Sequence, residues 1–437
     1  MSLEEPALRR VGIVGLGYVG LSLAAAFARK GFVVHGADTA PAVVAELSAG
    51  RSHVFEPGVE EVLAKELGTH LFVATELPTD GLDAAVICVS TPIDPGSREP
   101  VLGSLRAAAE HVARTCGPDT LVVVRSTVPI GACRSVVLPV LLKAWGQARL
   151  VMAPERTVQG RAMVELESLP QVVGGLDEDS TKLGVELFSV FGTRLIPVSN
   201  LETAELVKLT NNCHQDVIFS FGNEVALLTD RLGLDPLEVL MGTNLDYPRP
   251  DIAKPGYVGG GCLSKDPYIL MSSARGAGRK LGLIGAARAL NEELPLHVAD
   301  RVVDLMRRAE VKTLLVLGWA FKGTPPTDDV RGAPIAAMTT TFSSAGLRVL
   351  GHDPMVRPEV VRALGGEPVE LAEGFAQADA VLVITDHPFY RGLDVAAALA
   401  DSEVRLVYDS WRVLDAATVT ELGIQYHGLG YAAEVPA

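Results

Sequence analysis

Residues 11–14 form a short apolar, largely β-branched run that gives way at once to Gly15-Leu16-Gly17-Tyr18-Val19-Gly20, then to an alanine-rich stretch closed by Arg29-Lys30-Gly31. A chain with this order has few ways to fold. The glycines sit where a strand turns into a helix, so the backbone can approach a pyrophosphate at a helix N-terminus, whose dipole favours negative charge. Arg29 and Lys30 place cations in the last turn, and Gly31 suits the C-cap. Asp38 closes the next strand, eighteen residues after Gly20. A carboxylate there accepts hydrogen bonds from an adenosine ribose diol and repels a 2′-phosphate, which favours NAD over NADP. Gly15, Gly17, Tyr18, Val19, Gly20 and Asp38 are therefore the candidate cofactor residues. Residues 11–28 carry no charge and match the shortest membrane span. Their glycines and capped end argue instead for a buried strand and helix, and no membrane partner is expected.

Up to about residue 190, short apolar runs alternate with helix-like segments, the pattern of a parallel sheet wound with helices. The expected strands are residues 11–14, 32–37, 84–89, 121–125, 149–153 and 171–173, with helices beginning near Gly20, Pro57, Ser104 and Asp179. Residues 202–232 read as one long helix, and helical spacing returns at 266–277 and runs on to Arg308, broken at Pro295. A second strand–helix alternation follows through residues 313–318, 348–351, 380–385 and 406–408, without evident repetition of the first. Fraying is expected after Gly430. The fold class is thus α/β, with two Rossmann-like doubly wound domains joined by a long central helix. The boundaries read as 1–199 for the NAD-binding domain, 200–309 for the central helical domain and 310–437 for the C-terminal α/β domain.

A formal net charge of −15 repels phosphate backbones, so nucleic acid is not an expected partner and an anionic ligand must be held by local cations. Five scattered cysteines (Cys88, Cys116, Cys133, Cys213 and Cys262) lack metal-ligand spacing, so no metal is expected, and they suit a reducing compartment. The opening MSLEEPALRR has acidic residues and no apolar core, so no signal peptide is expected and the protein reads as cytoplasmic.

One cysteine stands apart. Pro255-Gly256-Tyr257-Val258-Gly259-Gly260-Gly261-Cys262-Leu263-Ser264-Lys265-Asp266 puts a thiol at the end of a glycine-rich loop and near the start of a helix. A packing cysteine usually sits among apolar side chains. Glycines before Cys262 and Lys265 after it should favour the thiolate and open the sulfur to a ligand.

With these segments in place, the chain resembles the UDP-glucose/GDP-mannose dehydrogenase family over roughly residues 10–430. The resemblance also rests on Glu56-Pro57-Gly58, Ser90-Thr91-Pro92, Ser126-Thr127-Val128-Pro129-Ile130-Gly131, Pro154-Glu155-Arg156, residues 204–212, Asn223-Glu224 and residues 318–331. It implies a C-terminal domain that binds UDP, a UDP-sugar substrate, NAD as cofactor and a homodimer through the central helix. In such enzymes the C6 alcohol becomes an aldehyde, a thiolate adds to give a thiohemiacetal, a second hydride leaves to give a thioester, and water releases the acid. By matching position, Cys262 is the nucleophile, Lys208 and Asn212 face the C6 oxygen, and Asp266 orients a water or accepts a proton. Lys208 and Asn212 are i and i+4 on the long helix, so both point from one face and could stabilise an oxyanion. Glu155 would serve in water activation, and Thr127 would hold a water or the nicotinamide region. Thr91, Lys265 and Arg331 would reach the cofactor, while Arg156, Arg249, Gly259 and Lys322 would reach the substrate.

Three features depart from the family's pattern. Gln159 stands where a second Glu is frequent, Gly323-Thr324-Pro325-Pro326 is about two residues longer than usual, and the cysteine loop mixes two styles. Lys265-Asp266 and the compact Gly259-Gly260-Gly261 look like UDP-glucose dehydrogenases. Asp266-Pro267-Tyr268, Pro154-Glu155-Arg156 with Gly160, Arg288-Ala289-Leu290-Asn291-Glu292-Glu293-Leu294-Pro295, and Thr385-Asp386-His387 look like the UDP-N-acetylhexosamine branch. A UDP-N-acetylhexosamine is the reading adopted, with UDP-glucose as the alternative. Two remoter readings remain. A two-electron β-hydroxyacid dehydrogenase shares the dinucleotide domain, the long helix and a Lys–Asn pair four apart, but needs no thiol and no second α/β lobe. A non-catalytic NAD-binding protein would not need Cys262, Lys208, Asn212 and Asp266 together.

Overall fold

The two alternating regions resolve into two separate sheets. The computed structural model describes residues 9–79, 81–248 and 251–433. These fall into two units, one running through Asn211 and including Tyr268–Lys280, the other made of Asn212–Pro267 and the residues from Leu281 on.

The first unit holds eight strands: β1 (Arg10–Val14), β2 (Val33–Ala37), β3 (Leu71–Ala74), β4 (Ala84–Ile87), β5 (Leu121–Val124), β6 (Arg149–Met152), β7 (Gln171–Gly175) and β8 (Leu195–Val198). Their order is β3-β2-β1-β4-β5-β6-β7-β8, parallel throughout except where β7 runs against β6. The sequence AAVI in β4 and LVVV in β5 is apolar at every position because both faces are covered. Val11 and Ile13 face one apolar cluster with the helix Tyr18–Arg29, while Val14, Ala85 and Ile87 face another with Leu105 and Leu141. The expected strands are all present. β3 and β8 were not anticipated, since each is short and half exposed.

The second unit holds β9 (Thr313–Leu317), β10 (Arg348–His352), β11 (Glu367–Pro368), β12 (Ala380–Val383), β13 (Leu406–Asp409), β14 (Gln425–Gly428) and β15 (Tyr431–Ala433). Their order is β11-β10-β9-β12-β13-β14-β15, with only β15 antiparallel to its neighbour. The first six strands of each sheet thus follow the same doubly wound order, with a crossover beside the first strand that opens a crevice at the carboxyl ends. Both units are Rossmann-like, as expected, although the second shows no evident repetition of the first in sequence. The expected fraying after Gly430 is corrected by β15, where Tyr431 pairs with Gly428 and Ala433 with Tyr426.

A 32-residue helix, Leu201–Leu232, carries the chain from the first unit into the second. Asp266–Gly276 and Gly282–Arg308 are helical as expected, but the break at Pro295 is not there. Pro295 removes one backbone donor, and a proline inside a helix costs roughly 3 kcal/mol. Burial of Leu294, Val298, Ala299, Val302 and Met306 along one face of that helix outweighs the loss. Among the described residues, no helix is long and apolar enough to cross a membrane.

Candidate active site

The turn after β1 shows why each glycine stands where it does. Gly15 has φ +91°, and a Cβ there would lie 2.9 Å from the Cys88 carbonyl oxygen, so only glycine fits the turn against the end of β4. A Cβ on Gly20 would lie 1.8 Å from the Gly15 oxygen, which fixes how closely helix and strand pack. Gly17 is the N-cap of the helix beginning at Tyr18, and a Cβ on it would meet nothing within 4 Å. Tyr18 and Val19 pack on the core below. Asp38, beyond the end of β2, accepts the Leu16 N–H on Oδ2 and the Ala40 N–H on Oδ1, both at 2.9 Å, which sets its carboxylate beside the glycine turn. Thr91 follows β4, is buried, and its hydroxyl has no hydrogen-bond partner among the described residues. Open space at a helix N-terminus, a ribose-competent carboxylate and an orphaned buried hydroxyl fit a dinucleotide across the β1/β4 switch point.

Further along the same sheet, β5 and β6 deliver a buried polar group. Glu155 accepts Arg125 Nε at 3.0 Å and Nη2 at 2.8 Å on one oxygen, and the N–H groups of Arg156 and Thr157 at 2.7 and 2.8 Å on the other. Burial alone pushes the Glu155 carboxyl up. The Arg125 guanidinium, the Thr157 N–H, the Lys208 ammonium and the Arg156 N–H outweigh it and hold the group below the ordinary glutamate value. Arg125 also donates to the Ala153 carbonyl and to Gln171, and lies over the Phe188 ring. Arg125 was missed in the sequence, although an arginine directly after the four-residue apolar run 121–124 and before Ser126-Thr127 is itself a signal of a buried partner. Thr127 is half-buried two residues beyond, and Arg156 reaches the Pro170 carbonyl at 3.3 Å.

Lys208 is buried on the long helix, and two glutamates in the turns before it tie that helix down. Glu205 accepts the Gly131 N–H at 2.5 Å and the Cys133 N–H at 2.9 Å, while Glu202 accepts Arg134 Nε at 2.6 Å. Glu56 of Glu56-Pro57-Gly58 accepts the Gly160 and Ala162 N–H groups at 2.8 Å, so that motif fixes the 156–162 loop.

In the second unit, Cys262 lies in a single helical turn, Gly260–Leu263, and is the one exposed cysteine of the five, all of which are unpaired. Burial pushes the Cys88 and Cys213 thiols up to about 12, and pushes those of Cys116 and Cys133 up as well. The three glycines before Cys262 exist because the loop runs hard against its own unit. A Cβ on Gly259 would lie 2.1 Å from the Gly332 oxygen, one on Gly260 would lie 2.6 Å from the Phe321 ring, and one on Gly261 would lie 2.8 Å from the Arg331 guanidinium carbon. Asp266, fully buried, accepts Asn212 Nδ2 at 2.5 Å and Lys265 Nζ at 2.7 Å, so an acid, an amide and an ammonium are joined one turn beyond the thiol. Arg331 pairs with Asp329 through Nε and Nη2.

Lys322 follows β9 at the crevice of the second sheet, with its ammonium 5.5 Å from the Phe321 ring centroid. The longer Gly323–Pro326 stretch is accommodated by Asp386, whose Oδ1 accepts the Gly323 N–H at 3.1 Å. Arg249 lies outside the described residues.

The NAD binding domain of the UDP-glucose/GDP-mannose dehydrogenase family matches residues 9–192, its central domain residues 202–293 and its UDP binding domain residues 315–416. A UDP-N-acetyl-D-mannosamine dehydrogenase of Pyrococcus horikoshii is 31% identical over 96% of this chain and 99% of its own. The chain belongs to the UDP-glucose/GDP-mannose dehydrogenase family. It is accordingly an NAD-dependent nucleotide-sugar dehydrogenase, an oxidoreductase with a UDP binding domain. A solved structure of the Pyrococcus enzyme matches at a TM-score of 0.86, covering 96% of this chain and 99% of that one. A UDP-glucose dehydrogenase of Pyrobaculum islandicum, 29% identical, also matches at 0.86 over 99% of this chain and 100% of its own. An NDP-N-acetyl-D-galactosaminuronic acid dehydrogenase of Ralstonia nicotianae is 30% identical over 88% of this chain and 92% of its own.

Proposed function

We propose that this dehydrogenase oxidises the C6 alcohol of a UDP-N-acetylhexosamine to the uronate in two steps, with Cys262 as covalent nucleophile. The observation that carries the reading is the thiol itself: the only exposed cysteine ends a glycine loop and sits one turn before the Asp266–Asn212–Lys265 group. Gly15, Gly17, Gly20, Asp38 and Thr91 would hold NAD, which when bound would supply the hydride acceptor for both oxidations. The Cys262 sulfur adds to the aldehyde carbon, and the resulting thiohemiacetal loses a second hydride to become a thioester. Water then cleaves the carbon–sulfur bond, releasing the acid and the thiolate. Asn212 offers an amide N–H to a developing oxyanion and Lys208 a cation, one helical turn apart. Asp266 takes a proton or orients the hydrolytic water. Glu155 already accepts four donors, which fill its lone pairs, so in place of the expected water activation its part is to hold negative charge near Lys208. Thr127, Lys265 and Arg331 serve the cofactor side, and Arg156, Arg249, Gly259 and Lys322 serve the substrate.

The choice of sugar follows the sequence branch carried by Pro154-Glu155-Arg156, Arg288–Pro295 and His387, and it agrees with the substrate named for the Pyrococcus relative. UDP-glucose is the second reading, favoured by the triglycine loop and by the Pyrobaculum structure. One buried hydrogen bond to the C2 substituent, worth about 1–3 kcal/mol, would separate the two by roughly ten- to a hundredfold. We also propose a homodimer through the long helix, supported by Phe221, Leu228 and Leu232, which are 53, 59 and 60% exposed along one helical face. Five unpaired cysteines support a cytoplasmic setting. The test is kcat/KM with NAD for UDP-N-acetylmannosamine, UDP-N-acetylglucosamine and UDP-glucose, beside Cys262→Ser. An N-acetylhexosamine should lead, and the variant should form no acid. A clear preference for UDP-glucose overturns the sugar, and acid formation by Cys262→Ser overturns the nucleophile.

A further inference from the structure

The loop bearing Cys262 is poor in side chains that could hold it. Three consecutive glycines, 259–261, pack closely against their unit but offer no side chain to anchor the backbone just before the thiol, and glycine has the most conformational freedom to lose. The constraint comes from a buried cluster on the long helix and the helix Gly282–Arg308. Arg288, 2% exposed, donates from Nη1 to Asp216 Oδ1 at 2.7 Å and to the Leu263 carbonyl at 2.9 Å, and from Nη2 to the Val258 carbonyl at 3.3 Å. Asn291 Nδ2 donates to the carbonyl and to Oδ1 of Asp216, both at 3.0 Å. Asn223 Nδ2 donates to Asn291 Oδ1 at 2.9 Å and to the Gly256 carbonyl at 3.0 Å, and the Gly256 N–H returns to Asn223 Oδ1 at 2.8 Å. The chain of polar groups therefore begins at Gly256 and ends on the backbone either side of Cys262.

As a stabilising ion pair this arrangement is poor. Among the described residues Asp216 Oδ2 and Arg288 Nε are buried without hydrogen-bond partners, Nε having only the Glu292 carboxylate 3.7 Å away, and desolvation offsets much of a buried pair's attraction. Apolar side chains would pack the two helices without that loss. What apolar side chains cannot do is donate in fixed directions to two carbonyls five residues apart, 258 and 263, and a planar guanidinium can. We propose that Arg288 is a positioning residue for the nucleophile: held by Asp216, it fixes the backbone before and after Cys262 and so sets the direction in which the sulfur attacks. The proposal rests on Cys262 being the nucleophile.

The test is Arg288→Lys in the full-length enzyme, because lysine keeps the cation opposite Asp216 but lacks the planar fork. Melting temperature, NAD affinity, kcat and KM for the nucleotide sugar, and the rate at which iodoacetamide alkylates Cys262, read by mass spectrometry, are measured together. NAD affinity and KM should stay close to wild type, kcat should fall about ten- to a hundredfold, as misplaced reacting groups do, and the alkylation rate should change with it. A folded Arg288→Lys with wild-type kcat and alkylation rate overturns the proposal. Should that variant not fold, Asp216→Asn, which removes the charge that orients Arg288, is read in the same way. Failure of both to fold assigns the pair to stability alone and overturns the proposal too. If instead the nucleophile reading is wrong, Cys262→Ser makes acid at the wild-type rate whatever Arg288 does.

Discussion

Asp38 and Glu155 show how differently two carboxylates of one sheet are used. Asp38 is half-buried at the strand end, and each of its oxygens takes one backbone N–H, leaving lone pairs for a ribose diol. Asp38→Ala should weaken NAD binding by about 1–3 kcal/mol, the scale of lost hydrogen bonds to a charged group, and narrow the preference over NADP. Dissociation constants for both cofactors check this, and an unchanged ratio would remove Asp38 from the ribose. Glu155 is the opposite case, saturated by donors and held below its ordinary value of 4.5. A carboxyl depressed in the folded state contributes stability that is present above its unfolded value and lost as pH falls through the folded one. Glu155→Gln leaves the buried Arg125 charge unmatched, so it should cost about 3–5 kcal/mol at neutral pH. The melting-temperature gap between the variant and wild type should then shrink as pH falls below 4.5. A gap constant down to the acid limit would show that the pair is not what stabilises the site.

Elements were read best where local chemistry left one choice. The turn Gly15–Gly20 and the apolar runs of β1, β2, β4, β5 and β6 were legible, because a glycine turn and a doubly buried strand each leave a mark in a few adjacent residues. The exposure of Cys262 was legible in its glycine-rich loop, but the reason for Gly259-Gly260-Gly261 was not, since it lies in Phe321, Arg331 and Gly332, some sixty to seventy residues away. Sequence separation likewise hides Arg125 with Glu155, 30 residues apart, and Arg288 with Asp216, 72 apart. Pro295 misled because proline's local cost was weighed without the burial of its helix, and β15 was missed because its partner is the neighbouring strand rather than any pattern of its own. The long helix was legible in extent, and its outward face has a consequence at this scale. Phe221, Leu228 and Leu232 fall at i, i+7 and i+11, with Val225 between them, a stripe too apolar to stay wet without cost. Phe221→Asp with Leu228→Asp should shift the enzyme from dimer to monomer in light scattering. A monomeric wild type, or a variant that remains dimeric, would place the interface elsewhere.

At the scale of the whole molecule, the chain repeats one architectural idea twice. Each sheet follows the doubly wound order, and in each an aspartate past the second strand accepts backbone N–H groups of the loop after the first. Asp38 takes Leu16, while Asp353 takes Trp319 and Ala320. One unit is thereby built for NAD, and the other matches the family's UDP binding domain. On the proposed reading, what would distinguish this plan from a simple alcohol dehydrogenase is the Cys262 thiol, because a covalent sulfur adduct would let two hydrides leave one carbon in turn. The decisive measurement is the amount of NADH formed per UDP-N-acetylhexosamine consumed, with the product identified by mass. Two NADH per sugar and a uronic acid are expected, with no free aldehyde accumulating. One NADH per sugar, with an aldehyde or ketone as the product, would contradict that expectation.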